Sequence, residues 1–209
     1  MILDIEGEYK KLCEHLHGEV RTIRHTIPFD PFKINNSDVC EFKFLMHMEF
    51  LKALYQQLFQ NLNLEEIEEL TNATRRAYEE VDKVSFLKVL ERIEAKGVYN
   101  KVEPIIRRIS NGDRVESNEN RRCVCFDFAR VFEEKDSGLF NAYLMLTIKE
   151  IEKTIFENVE YNKIHKSNRK VIVLIDESHI LLDESRKTAL EFIYLLSKRI
   201  RKYDGMMIL

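Results

Sequence analysis

Met1, Ile2, Leu3 and Ile5 open the chain around a single acid, Asp4, so Met1 to Ile5 reads as a short buried strand. Glu8 to His17 follows as a short helix, which Gly18 ends as a C-cap. Glu19 to Ile23 is a second short strand, and Phe29-Asp30-Pro31-Phe32 then breaks the pattern. From about Asp38 the spacing is helical only. Phe42, Leu45, Met46, Phe50, Leu54 and Leu58 form one stripe at helical intervals. Asn63 is placed to cap a second helix, with Glu65 and Glu66 in its first turn, where the helix dipole favours acids. Ser85 caps a third, which Gly97 ends. A fourth runs from about Tyr99 to Ile109, with Pro104 in its opening turns, where proline is best tolerated.

The polar stretch Asn111 to Arg122 closes the helical region. Strand texture resumes at Cys123 to Phe128, and Leu139 to about Glu157 is a long helix. After the basic loop Lys163 to Lys170 comes Val171 to Ile175, a continuous apolar run rich in β-branched residues. It reads as a strand buried on both faces. Thr188 to Tyr203 is a helix and Met206 to Leu209 a last strand. Strands separated by helices imply a parallel sheet. The expected fold is α/β: a partial parallel sheet built from residues 1–37 and 123–209, interrupted by an all-helical insertion over 38–122. Such sheets bind ligands at the carboxyl ends of their strands.

Composition narrows this picture. Apolar residues make up 44% of the 209 positions, which excludes a disordered chain, and 6 glycines with 3 prolines argue against a sandwich of many short strands. A net charge of -3 makes no case for nucleic-acid binding by bulk electrostatics. No apolar run approaches the ~18 residues of a membrane span. Cys123 and Cys125 point to one face of their strand. Their spacing suits neither a zinc knuckle nor a redox CxxC pair. With Cys13 and Cys40 they read as small buried hydrophobes in a reducing cytoplasm.

The candidate chemistry sits at Val171-Ile172-Val173-Leu174-Ile175-Asp176-Glu177. An apolar strand delivers two adjacent carboxylates to its carboxyl end, as a Walker B element does. The first carboxylate holds a magnesium ion through its water shell, and the second polarises the water that attacks the γ-phosphate. The competing reading is that Asp176 and Glu177 only cap the next helix. A phosphate-binding loop needs glycines five apart followed by Lys and Ser or Thr. The glycines stand at 7, 18, 97, 112, 138 and 205, and no two are five apart. The expectation is that this loop lies upstream of Met1 and that the chain is a fragment whose ends cut through a core.

The order of motifs resembles a known family. Leu3-Asp4-Ile5-Glu6-Gly7-Glu8-Tyr9 is similar to the D-x-x-G-E-Y strand end of the HerA/FtsK superfamily of pumping ATPases. Gly18-Glu19-Val20, Phe29 to Phe32, Cys125-Phe126-Asp127-Phe128, Ile175 to His179 and Arg201-Lys202-Tyr203 follow in order. Together they resemble the TraC/TraE-like, VirB-type energising ATPases of conjugative type IV secretion systems. The resemblance implies a RecA-like P-loop core with an all-α insertion, using ATP and Mg2+. It implies Asp176 as the residue holding magnesium through water and Glu177 as the catalytic carboxylate. Asp4 and Glu8 match the acidic motif beside the nucleotide, Glu8 being the one that faces it. Arg201 matches a basic motif that reaches a neighbouring subunit's nucleotide as an arginine finger. Its macrodipole role at a helix end is the competing reading. The implied partners are further copies in a hexameric ring and the secretion channel and coupling proteins, with DNA as a further candidate. The implied location is the cytoplasmic side of the inner membrane, peripherally bound. Without its phosphate loop the fragment is expected to be inactive alone. Two alternatives stand beside this reading: a HerA/FtsK-like DNA translocase or helicase, and a non-catalytic helical interaction module.

Overall fold

The computed structural model describes residues 1–24, 29–34, 41–110, 122–133, 137–181, 187–203 and 205–209. Its elements begin with β1 (Ile2–Asp4), α1 (Lys10–His15) and β2 (Glu19–Thr22). Four helices follow: α2 (Glu41–Leu58), α3 (Leu64–Glu80), α4 (Phe86–Leu90) and α5 (Lys96–Ser110). Then come β3 (Val124–Asp127), α6 (Ala129–Glu133), α7 (Ser137–His165), β4 (Ile172–Ile175), α8 (Ser178–Leu181), α9 (Lys187–Lys202) and β5 (Met206–Ile208). The chain divides into two units, one of Met1–Arg24 with Val115–Leu209, the other of His25–Arg114.

The first unit holds a five-stranded sheet in the order β2-β3-β1-β4-β5, with every neighbouring pair parallel. Its central strand is β1, all three residues of which are buried. Strand β4 is less enclosed than a strand buried on both faces. Val173 and Ile175 are buried, but Ile172 on the opposite face is 50% exposed. On that face Cys13 of α1 packs with Ile2, Cys125 and Leu174. Helix α7 runs to His165, well past Glu157 and into the stretch expected as a basic loop.

In the second unit the expected caps form. The Asn63 side chain accepts from the Glu66 amide at 2.9 Å, and the Asn63 amide donates back to the Glu66 carboxylate at 3.0 Å, a reciprocal capping box. Ser85 Oγ accepts from the Lys88 amide at the start of α4. Two expectations fail. The buried face of α2 carries Met48, Leu51, Leu54, Tyr55 and Leu58, while Phe42, Leu45 and Met46 are exposed. This helix is apolar around much of its circumference, so spacing alone left the phase open. Gly97 does not end α4. It lies in the first turn of α5, where Pro104 is interior on an exposed position. Proline there forfeits one amide donor on the side where water satisfies the freed carbonyl. Phe29 to Phe32 falls within the helical unit. Phe32 is buried edge-on against Phe86 at 4.8 Å, and its carbonyl accepts from the Tyr78 hydroxyl at 2.7 Å. The polar stretch 111–121 and the segment 35–40, with Cys40, lie outside the described residues. Among the described residues no helix is long and apolar enough to cross a membrane.

Candidate functional site

Parallel pairing brings the carboxyl ends of four strands to one edge of the sheet. Asp4 stands in register with Asp127, and Asp127 with Thr22. The Asp176 amide donates to the Leu3 carbonyl at 3.0 Å, which sets the β4 end beside the β1 end. The register therefore collects Thr22, Asp127, Asp4, Asp176 and Glu177 from four separate stretches of chain.

Asp4 organises this edge. It is fully buried. Its Oδ1 accepts the amides of Gly7 and Glu8 at 2.8 and 3.0 Å, and its Oδ2 accepts the amide of Tyr9 at 2.9 Å. The Cys125 thiol donates to Oδ2 at 3.6 Å. A buried carboxylate needs such donors to offset its desolvation. Its oxygens are thus committed to the Ile5–Tyr9 turn. Gly7 is required there: its φ is +83°, and a methyl group on it would meet the Ala129 Cβ at 3.1 Å. The turn projects Glu8 into solvent and folds the half-buried Tyr9 back toward the acids.

Tyr9 feels the charge of the acids at this edge. Its phenol is held above the usual tyrosine range, first by the charge of Asp176, then by burial, Glu8, Asp4 and Glu177. Negative charge concentrated in this way is suited to a hydrated cation, so Asp176, half-exposed at its strand end, fits a magnesium ion held through water. Among the described residues no group of three His, Cys, Asp or Glu side chains is arranged to ligate an ion directly.

Glu177 occupies the turn between β4 and α8 with φ +51°, a left-handed conformation that costs a non-glycine residue about 1 kcal/mol or more. Its carboxylate pairs with Nδ1 of the exposed His179 at 2.9 Å. A simple helix cap does not require this backbone state.

Arg201 is not part of this edge. The Met206 amide donates to the Val171 carbonyl, and the Gly205 amide to the Ile200 carbonyl. The exposed last turn of α9 therefore sits at the amino end of β4. From Val171 to Asp176 the chain spans about 16 Å at ~3.3 Å per residue. Within one chain Arg201 and Asp176 lie at opposite ends of the sheet.

Sequence reasoning named Tyr9 and Asp127 within motifs without giving them a site role, and passed over Thr22. Asp127 Oδ1 accepts the Ala129 amide at 3.1 Å, and Oδ2 accepts from the Thr22 hydroxyl at 3.3 Å. The available signal was the repetition of an apolar run ending in Asp, at Ile2–Asp4, Val124–Asp127 and Ile172–Asp176.

No protein-family profile and no curated protein matches the chain. Among solved structures, VirB4 of Thermoanaerobacter pseudethanolicus superposes with a TM-score of 0.72 at 20% sequence identity, over 99% of this chain and 85% of that one. This chain has the VirB4 fold. The parallel sheet is accordingly a RecA-like core, and the second unit its helical insertion. In a RecA-like core the carboxyl edge of the sheet is the ligand edge, and the Asp176-Glu177 pair stands on it.

Proposed function

We propose that the chain is part of an ATP-hydrolysing motor that energises type IV secretion, in the conjugative transfer of DNA. The observation that carries this is the pairing that sets the Asp176-Glu177 end of β4 beside the Asp4 end of β1 at the carboxyl edge of a VirB4-type sheet. Asp176 holds magnesium through its water shell. When bound, the ion neutralises charge on the β- and γ-phosphates. Glu177, presented by its left-handed turn, accepts a proton from the attacking water and orients it. Asp4 serves the nucleotide indirectly by fixing the turn that carries Glu8. Arg201, on the far end of the sheet, acts on the nucleotide of an adjacent copy in a hexameric ring. The insertion docks the motor to channel and coupling proteins at the cytoplasmic face of the membrane. The chain alone lacks the phosphate loop and is inactive without it.

Magnesium-dependent ATP hydrolysis by the full-length protein tests this reading. Glu177→Gln is expected to lower kcat at least 100-fold, a loss of about 3 kcal/mol of transition-state stabilisation, while nucleotide binding persists. Unchanged hydrolysis in that variant removes Glu177 from the catalytic role. Failure of the full-length protein to bind ATP removes the motor.

A further inference from the structure

At the amino end of the sheet three free thiols gather in a place the nucleotide reading does not use: Cys13 in α1, and Cys123 and Cys125 around the start of β3. The Gly18–Glu19 turn lies between the first two. The Gly18 amide donates to the Cys13 carbonyl at 2.8 Å, and the Glu19 amide to the Cys123 carbonyl at 2.9 Å. Both cysteine backbones are therefore anchored to adjacent residues. A methyl group on Gly18 would stand 2.6 Å from the Cys13 sulfur and 2.8 Å from the Cys123 Cβ. The absence of that methyl lets the two side chains approach. The same two distances bound the separation of the Cys13 sulfur from the Cys123 Cβ at their sum, about 5.4 Å, within one side-chain rotation of disulfide geometry. The Cys13 thiol donates to the Glu19 carbonyl at 3.4 Å, on the residue whose amide is bonded to Cys123.

We propose that Cys13 and Cys123 form a reversible oxidation site, closing to a disulfide when the protein meets a peroxide. Accessibility sets the order of steps. Cys123 is half-buried and open to the oxidant, whereas Cys13 is fully buried. Burial, and the contact with Cys123, push the Cys13 thiol up to about 11, so it stays protonated and unreactive toward peroxide. The Cys123 thiolate attacks one peroxide oxygen; the O–O bond breaks, a sulfenic acid forms and the other oxygen leaves as water after taking a proton. The Cys13 sulfur then attacks the sulfenic sulfur; the S–O bond breaks, the S–S bond forms, and the thiol proton leaves with the hydroxyl as a second water. Two thiols are oxidised and one peroxide is reduced. Cys125 is set apart from this exchange by its bond to Asp4 at 3.6 Å. The closed loop encloses the whole His25–Arg114 unit between the two sulfurs. The site is independent of the nucleotide reading and survives its failure.

The test treats the reduced full chain with one equivalent of hydrogen peroxide, blocks remaining thiols with N-ethylmaleimide, and maps non-reduced peptides by mass spectrometry. Two of the four thiols are expected to disappear, with one link joining the Cys13 peptide to the Cys123–Cys125 peptide, reversed by dithiothreitol. Fragmentation of the wild-type linked peptide assigns the second sulfur without any substitution, and Cys123 is the expected partner. Cys125→Ser is expected to keep the link and Cys123→Ser to lose it. A link through Cys125, or oxidation of Cys123 to sulfinic acid with Cys13 still free, overturns the proposal.

Discussion

The two units handle buried polar groups in opposite ways. In the helical unit neutral hydroxyls pair with carbonyls and with one another. The Thr74 hydroxyl donates to the Leu70 carbonyl one turn back at 2.9 Å, which leaves its oxygen to accept from the Tyr55 hydroxyl at 2.7 Å. No described residue of that unit has a positive φ. In the sheet unit a single carboxylate, Asp4, gathers donors from a turn and from a neighbouring strand, and Gly7 and Glu177 adopt left-handed backbone on either side of it. Pairing neutral hydroxyls leaves helices regular and concentrates no charge. Gathering donors onto one carboxylate keeps a charge buried at the sheet edge, with a left-handed glycine in the turn that supplies them. The difference separates a unit built for packing from one built to hold charge.

The largest expected effect tests the gathering role. Asp4→Ala leaves the amides of Gly7, Glu8 and Tyr9 without their acceptor in a part-buried turn. It is expected to lower unfolding stability by about 3 kcal/mol or more, read from the urea midpoint. Asp4→Asn keeps one acceptor oxygen and is expected to lose about half as much. A loss below ~1 kcal/mol in the alanine variant would show that the turn stands without the carboxylate, and the contrast between the units would collapse.

The next effect belongs to the helical unit. Burial raises the Tyr55 phenol above its ordinary value, and burial with the charge of Tyr55 and Asp30 raises Tyr78. A folded-state value above the unfolded one contributes stability in full below about pH 10. That contribution is lost as pH climbs toward the folded value. Helical signal at 222 nm is therefore expected to fall first on alkaline titration above about pH 10. Tyr55→Phe is expected to shift that loss upward while costing about 1 kcal/mol at neutral pH for the unpaired Thr74 oxygen. Asn63→Ala opens the capping box and is expected to cost about 1 kcal/mol without changing the alkaline midpoint. If Tyr9→Phe moved that midpoint more than Tyr55→Phe did, the alkaline lability would belong to the sheet edge instead.

What was legible in the sequence follows the same division. Caps are local, so Asn63 and Ser85 announced themselves, and the run Val171 to Ile175 announced a strand delivering Asp176 and Glu177. Pairing register is not local. Asp127 and Thr22 reach the edge only because β3 lies between β2 and β1, and nothing near either residue encodes that order. The phase of α2 escaped in part because both candidate stripes are apolar, and only tertiary packing selects Met48 and Leu51 over Leu45 and Met46. Gly97 misled for a related reason. Packing of Val98, Val102 and Ile106 holds α5 together through a glycine and a proline that propensity alone would place at its ends. The left-handed state of Glu177 has no sequence signal, since glutamate has no preference for it.

That state supports the smallest prediction. Glycine carries no left-handed penalty, so Glu177→Gly removes about 1–2 kcal/mol of backbone strain. Against this stand the greater freedom of glycine in the unfolded chain, about 0.5–1 kcal/mol, and loss of a largely exposed contact with His179, worth only a few tenths. The net expectation is a stability gain of about 0.5 kcal/mol, measured by urea unfolding at pH 7. Arg75→Gly, at an exposed position inside α3, provides the control. The helical backbone is unstrained there, and the same change to glycine is expected to cost about 0.8 kcal/mol. Opposite signs at the two positions mean that strain is held at the β4 turn and absent from α3. A clear loss at both means that the Glu177 side chain stabilises its turn by more than its backbone costs. In that case the left-handed conformation is a by-product of the acid pair and not a means of presenting it.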